Sequence, residues 1–88
     1  MGRELRRMPP GTSETRHYHL KAWQFFFVLS GTATLEIAGQ RENLHAFEGV
    51  EVQPEVLHQM FNLSDQPIEF LVISIPPSHG DRVQEEQD

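Results

Sequence analysis

Hydrophobic residues occur in short runs along this chain and never follow a sustained helical period. The runs are separated by turn-forming residues, such as Pro9-Pro10-Gly11, Ser30-Gly31 and Gly39-Gln40, at intervals of about 8–12 residues. This spacing is typical of an all-β sandwich or barrel. It predicts eight strands, over Glu4–Met8, Thr15–Leu20, Gln24–Leu29, Thr32–Ala38, Glu42–Ala46, Val50–Gln53, Leu57–Leu63 and Ile68–Ile75.

The predicted strand Gln24–Leu29 and the stretch Phe70–Ile75 of the last strand are apolar on both faces, as expected of strands that are covered on both sides. If Gln24 points into the protein, Phe26 and Val28 share its face because side chains alternate along a strand. Phe25, Phe27 and Leu29 then face outward, toward a second chain or a covering segment. A short barrel with exposed edges and more apolar surface than it can cover is expected to form a two-fold homodimer.

The length predicts a single domain, residues 1–88, with a barrel over about 9–76 and a polar C-terminal tail over 77–88 that frays or covers a neighbour. The chain has no cysteine, which excludes a disulfide framework, a thiolate metal site and a thiol nucleophile. The formal charge of −6 argues against nucleic-acid binding. No apolar run is long enough to span a membrane, and the first eight residues lack the apolar core of a secretory signal. The expected location is the cytoplasm.

Three histidines at two fixed spacings carry the candidate chemistry. His17 and His19 form an H-x-H pair, and on a strand these imidazoles point to the same side. His58 opens an H-x-x-x-N sequence that ends at Asn62. Two imidazoles from one strand and a third from a later strand can hold a divalent metal with coordination positions left open.

The residues around these histidines resemble the sequence motifs of the cupin superfamily, in particular its small single-domain conserved-barrel members. Gly11, His17, His19, Gln24 and Gly31 match every spacing of the first motif, G-x5-H-x-H-x3,4-E-x6-G, with glutamine in place of the glutamate. The second motif, G-x5-P-x-G-x2-H-x3-N, keeps its spacing and both His58 and Asn62. Its first glycine, proline and second glycine are replaced by Phe47, Gln53 and Glu55.

The resemblance implies a double-stranded β-helix, a jelly-roll barrel of two antiparallel sheets. It also implies a metal inside one end of the barrel, held by the residues that match its ligand positions: His17, His19, Gln24 and His58. Gln24 is either a ligand through its neutral carbonyl oxygen or a donor that orients a ligand or a bound water. Nitrogen-rich ligation favours a divalent transition metal, Fe, Ni, Cu, Zn or Co, with Mn less favoured. Without a protein carboxylate the metal keeps its full charge and should attract an anionic or enolisable oxygen ligand.

Other residues receive more local predictions. Phe26, Val28 and Met60 are expected to line the cavity, because they share a strand face with Gln24 or His58. Asn62 is expected to be structural, His45 and His79 to lie at the surface, and Tyr18 to point away from the site. If the turn position at Glu55 needs a positive φ, that residue costs on the order of 1 kcal/mol. No Asp or Glu is predicted at a cavity position, so no general base or other catalytic residue is assigned.

Three functions remain open at this point. The first is a metal-dependent enzyme, dioxygenase-like or related, acting on a small oxygenated or carboxylate-bearing molecule. The second is a binding module that captures a small molecule or a metal without turnover. The third is a structural or sensory barrel with vestigial histidines, since one fold hosts many chemistries.

Overall fold

Two antiparallel β-sheets pack face to face and enclose the hydrophobic core. The computed structural model describes residues 2–77 and 82–84. Nine strands are assigned within these residues: β1 Gly2–Met8, β2 His17–His19, β3 Trp23–Ser30, β4 Ala33–Ile37, β5 Gln40–Leu44, β6 Gly49–Val52, β7 His58–Phe61, β8 Ile68–Ile75 and β9 Arg82–Gln84. All eight strands predicted from the sequence are confirmed, with ends that shift by a few residues.

The strands are divided between sheets of order β1-β8-β3-β6 and β5-β4-β7-β2-β9. Every pairing of these strands is antiparallel. Most neighbours in each sheet are distant in sequence, as when β3 lies between β6 and β8, whereas β4 and β5 form a hairpin. The predicted all-β fold of two antiparallel sheets is confirmed.

The inward faces of both sheets form one apolar core. Burial alternates strictly along β3, where Phe26 and Val28 point inward and their neighbours are half-buried. Val28, Leu35, Met60 and Phe70 are fully buried in this core, and one end of it carries polar side chains instead. The polar end is where the histidines lie.

Strand β9 lies within residues 77–88, where the sequence predicts only a polar tail. Arg82 pairs with His19, and Gln84 pairs with His17, along the outer edge of β2. A three-residue strand with one apolar side chain, Val83, is too short to show a period of two in the sequence. It forms because the backbone N–H and C=O groups at the edge of β2 can pair with a further strand. The rest of the predicted tail that follows residue 77, including His79, lies outside the described residues.

Two turns of the second histidine motif keep a backbone conformation that favours glycine. Glu55 has φ of 69° and Phe47 has φ of 68°, each at a position where the family motif has glycine. The Glu55 amide donates a hydrogen bond of 2.7 Å to the carbonyl oxygen of His19. The turn therefore keeps its shape despite the strain expected for a glutamate at this conformation, and His58 remains in register with β2.

Candidate metal centre

The three histidines of the sequence motifs lie together at the polar end of the barrel. His17 and His19 project from the same face of β2, and His58 lies directly opposite His17 on β7. The ring centroids of His17 and His58 are 4.4 Å apart, and those of His17 and His19 are 5.0 Å apart. All three side chains are buried, and their potential ligand atoms lie within 4.8 Å of one another. Together they form a cluster that could hold a metal ion.

Backbone carbonyls fix which nitrogen two of these imidazoles present to the cluster. His17 Nδ1 lies 2.7 Å from the carbonyl oxygen of Thr15, and His58 Nδ1 lies 3.0 Å from that of Val56. A carbonyl oxygen can only accept a hydrogen bond, so both Nδ1 atoms carry the proton. Each Nε2 atom then has a free lone pair, the form in which imidazole binds a metal.

Burial keeps these imidazoles neutral. It lowers the pKa of His17 to about 4, with the hydrogen bond to Thr15 acting in the opposite direction. The pKa of His58 is also lowered, again mainly by burial. His58 Nε2 is buried and has no hydrogen-bond partner among the described residues. A buried nitrogen lone pair that accepts no hydrogen bond and binds no cation is unfavourable. These imidazole nitrogens are therefore suited to bind a metal ion.

Gln24 faces the histidines from the opposite sheet. Its side-chain amide donates a 3.0 Å hydrogen bond to Ser74 Oγ, while Oε1 is buried without a hydrogen-bond partner in the described part of the chain. This arrangement turns the carbonyl oxygen, the only atom of the side chain that can ligate, away from Ser74. It fits both roles left open by the sequence, a fourth ligand or an acceptor for a group bound at the metal.

A cavity of about 70 Å³ opens beside the histidines. Its lining consists of Arg6, Glu14, His17, His19, Gln24, Phe26, Val72 and Arg82. Phe26 forms part of the wall as predicted, and its ring meets the His58 ring edge-on at 5.7 Å. Val28 and Met60 are not among the lining residues. They lie deeper in the apolar core, because β3 and β7 continue past the polar end of the barrel.

The sequence predicts no acidic residue at the cavity, and this prediction is wrong. Glu14 lines the cavity from the segment before β2, and its side chain is only 13% exposed. Strand alternation counted back from His17 would place Thr15, not Glu14, on the ligand face. The segment between β1 and β2 is irregular apart from a single bridge at Ser13, so no sequence period could locate this carboxyl group.

The other predicted residues take the places expected of them. Asn62 is fully buried and structural, since its side-chain amide donates to the backbone carbonyls of Met8 and Gln66. His45 is exposed and pairs with Glu48 at 2.9 Å. Tyr18 points away from the cavity.

Among the described residues there is no helix with the length and apolar character of a membrane span.

The buried histidines should make the metal-free protein less stable in mild acid. Their pKa values are lowered in the fold, so the unfolded chain binds more protons below about pH 6.5 and stability falls as the pH drops toward 4. For His17 alone we expect a loss of about 2 kcal/mol in the free energy of unfolding between pH 7 and pH 5. Denaturant titrations at the two pH values measure it. The raised pKa of Glu14 makes stability rise as the pH drops, which partly offsets the effect of the histidines. The prediction is therefore contradicted only if stability does not change between the two pH values in wild type and also in Glu14→Gln.

Comparisons with known proteins agree with this geometry. A sequence model described as the cupin domain matches residues 4–74. No curated protein matches the chain. Among solved structures, the chain is similar to a cupin protein from Bacteroides fragilis, with 27% identity over 82% of this chain and 62% of that one and a TM-score of 0.78. It is also similar to a sugar phosphate isomerase of the cupin superfamily from Silicibacter pomeroyi, with 28% identity over 83% of this chain and 48% of that one and a TM-score of 0.77.

A third structure shows the same fold over nearly the whole chain. It is an uncharacterized conserved protein with a double-stranded β-helix domain from Klebsiella pneumoniae, 21% identical, with a TM-score of 0.84 over 97% of this chain and 74% of that one. The chain spans about half to two thirds of the length of the first two structures. The family match covers most of the sequence, and the chain belongs to the cupin family.

Proposed function

We propose that this cupin binds a divalent transition metal through His17, His19 and His58, and that it acts there on a small oxygenated or carboxylate-bearing molecule. The observation that carries the proposal is the pair of Nδ1–carbonyl hydrogen bonds. They leave two buried imidazoles, those of His17 and His58, each with a free Nε2 lone pair in one cluster. Fe, Ni, Cu, Zn, Co and Mn all accept nitrogen ligands of this kind.

The charges around the cavity favour an anionic ligand. Arg6 and Arg82 line it, and Arg6 is paired with the carboxylates of Glu4 and Glu14, while burial keeps His17 and His58 neutral. Gln24 leaves the charge of a bound divalent ion uncompensated. A carboxylate or enolate oxygen would meet a positive field from the ion and from the guanidinium group of Arg82.

The size of the cavity favours a small molecule. About 70 Å³ is far below the roughly 300–1,000 Å³ of pockets that enclose drug-sized ligands. The likeness to a sugar phosphate isomerase supports an oxygenated substrate, but a whole sugar phosphate would extend beyond this cavity. We therefore propose a molecule of a few carbons, or the reacting end of a larger one.

The protein's own residues would position the molecule and keep the site dry. When bound, the metal supplies a Lewis acid that polarises oxygen groups, or a redox centre if it is iron, copper or another redox-active ion. Phe26 closes one wall beside His58, and Arg82 holds negative charge at the polar side of the cavity. Thr15 and Val56 fix the orientation of the imidazoles through their carbonyls.

A non-catalytic binding module is the second proposal, and Gln24 favours it. The family carboxylate is replaced by a neutral group, so the site could hold an anion firmly without turning it over. The experiment that separates the two incubates metal-reconstituted protein with small carboxylates and hydroxy-ketones and follows oxygen uptake and products by NMR. Turnover that is lost in His58→Ala supports the enzyme, and saturable binding without turnover supports the binding module.

We further propose that the chain forms a two-fold homodimer through the outer face of the β1-β8-β3-β6 sheet. Trp23, Phe25 and Phe27 stack along this face, and Leu5 is 63% exposed beside them. The β1 edge carries arginines, whereas the β6 edge carries exposed Glu51. A face-to-face dimer can place one edge over the other and pair these charges.

Leu5→Asp should break this dimer, because it puts a charge into an apolar contact. Wild type at micromolar concentration is expected to scatter light with the mass of two chains, and the variant with the mass of one. Leu63→Asp is the matched control, since Leu63 is similarly exposed at 60% and follows β7 in the other sheet. A monomeric wild type, or a Leu5→Asp variant that stays dimeric, contradicts the proposal.

A further inference from the structure

Glu14 is a buried carboxyl group whose function is not explained by the fold. Its backbone is held firmly, since its amide donates to the carbonyl oxygen of Met60 at 2.9 Å and its own carbonyl accepts from Gln59 Nε2 at 2.8 Å. Both partners lie on β7, the strand that carries His58. The backbone of Glu14 is therefore anchored to the same strand as one of the candidate metal ligands.

The two oxygens of this carboxyl group have different surroundings. Oε2 accepts a hydrogen bond from Arg6 Nη1. Oε1 is buried and has no hydrogen-bond partner among the residues that the structure describes. Because Glu14 lines the cavity, a molecule bound there would meet an acceptor that needs a donor.

Glu36 shows what a structural carboxyl group looks like in this protein. Its side chain is 13% exposed, the same as that of Glu14. Both of its oxygens are engaged, Oε1 with Arg16 at 2.6 Å and Oε2 with Arg41 at 3.9 Å. It does not line the cavity. Glu14 differs from this matched case in leaving one oxygen for something else.

The electrostatics agree with an acceptor that needs a partner. Burial raises the pKa of Glu14, while Arg6 and Arg82 act to lower it and Glu4 to raise it. The two arginines do not fully offset the loss of water around the carboxylate. A ligand hydroxyl that donates to Oε1 would supply the missing stabilisation of the charged form.

We propose that Glu14 selects ligands that carry a hydroxyl group next to a carboxylate, by accepting the hydroxyl hydrogen at Oε1. The inference rests on the proposed function, because the carboxylate of such a hydroxy acid is assigned to the metal and Arg82. It narrows the ligand class from oxygenated or carboxylate-bearing molecules to small α-hydroxy acids. Glu14 is then a specificity-determining residue of the cavity.

The test compares two ligands of equal size that differ only in this hydroxyl group. Glycolate and propionate each have five non-hydrogen atoms, and propionate has a methyl group where glycolate has the hydroxyl. Calorimetry on metal-loaded protein should show glycolate binding at least about tenfold more tightly than propionate, because a site that accepts a hydroxyl hydrogen rejects an analogue that lacks it.

The variants Glu14→Gln and Glu36→Gln locate the effect. In Glu14→Gln, Arg6 can donate only to the amide oxygen, so the NH₂ group faces the cavity and an acceptor becomes a donor. The preference for glycolate should fall to within about threefold of unity, while Glu36→Gln keeps the wild-type ratio. Melting curves establish that both variants are folded, and Glu14→Asp replaces Glu14→Gln if the latter unfolds.

The outcomes separate this inference from the metal proposal. A wild-type protein that binds zinc but binds glycolate no better than propionate, or neither of them, overturns the role of Glu14 and leaves the metal site standing. An unchanged preference in Glu14→Gln overturns it as well. Failure to bind any of Fe, Ni, Cu, Zn, Co or Mn would instead refute the proposed function.

Discussion

Replacing His17 with alanine is expected to lower the affinity of the protein for Zn²⁺ or Co²⁺ by at least about 100-fold. Loss of a residue that merely orients a metal ligand typically reduces affinity by about 10–100-fold, and His17 is proposed as a ligand itself. It is also the central member of the cluster, with ring centroids 5.0 Å from His19 and 4.4 Å from His58. Competition with a chromophoric chelator measures the affinity, and the visible spectrum of bound Co²⁺ reports the coordination.

His45→Ala is the matched control for this experiment. It also removes one histidine, but His45 is exposed and pairs with Glu48 outside the cluster. We expect its metal affinity to equal that of wild type. A folded His17→Ala variant that still binds one ion with wild-type affinity would show that His17 is not a ligand.

The second large effect is a loss of stability, expected when Asn62 is replaced with alanine. Its fully buried side chain donates to the carbonyl oxygens of Met8 and Gln66 at 3.0 and 2.8 Å, and its Oδ1 accepts from the backbone and side chain of Ser64. Asn62→Ala leaves two carbonyls without these donors, at a cost of about 3 kcal/mol in the free energy of unfolding. For a domain of this size that lowers the melting temperature by roughly 12–24 °C.

Asn43→Ala provides the comparison. Asn43 is exposed, and its Oδ1 accepts one hydrogen bond of 2.9 Å from Thr34 Oγ1. Water can replace that interaction, so we expect a loss below about 1 kcal/mol. Thermal and denaturant unfolding of both variants measure the difference. Equal, small losses for the two asparagines would mean that Asn62 does not hold β1, β7 and the following turn together.

The fold could be predicted because its main signals are local. The apolar run Gln24–Leu29 and the glycine and proline turns mark strands that the structure reproduces. The period of two also brought His17 and His19 to one face. Each of these inferences uses residues close together in the chain, where strand geometry alone determines which side chains meet.

Much of the cavity could not be predicted, because it is assembled from segments without a periodic signal. Arg6 comes from β1, Glu14 from an irregular connection and Arg82 from a three-residue strand. Which of their side chains face the histidines depends on the packing of the sheets. Val28 and Met60 are predicted to line the cavity because they share a strand face with the site residues. They lie in the apolar core instead, since the strand face does not reveal how far along the barrel the polar end extends.

The turn before His58 shows how a motif can lose its glycines and keep its geometry. Phe47 and Glu55 both adopt positive φ. The backbone amides of both residues donate 2.7 Å hydrogen bonds, to the carbonyl oxygens of Val28 and His19 respectively. These bonds hold each turn against a neighbouring strand. The strain at Glu55 foreseen from the sequence is therefore present, but it does not displace the histidine.

The central claim is that the three buried histidines hold a metal ion, and the metal content of protein purified without an affinity tag tests it most directly. Elemental analysis should find about one divalent transition-metal ion per chain. After removal by a chelator, adding the same ion back should raise the melting temperature, because a ligand bound only by the folded state stabilises it. A protein with only trace metal, whose melting temperature does not respond to Fe, Ni, Cu, Zn, Co or Mn, would contradict the account.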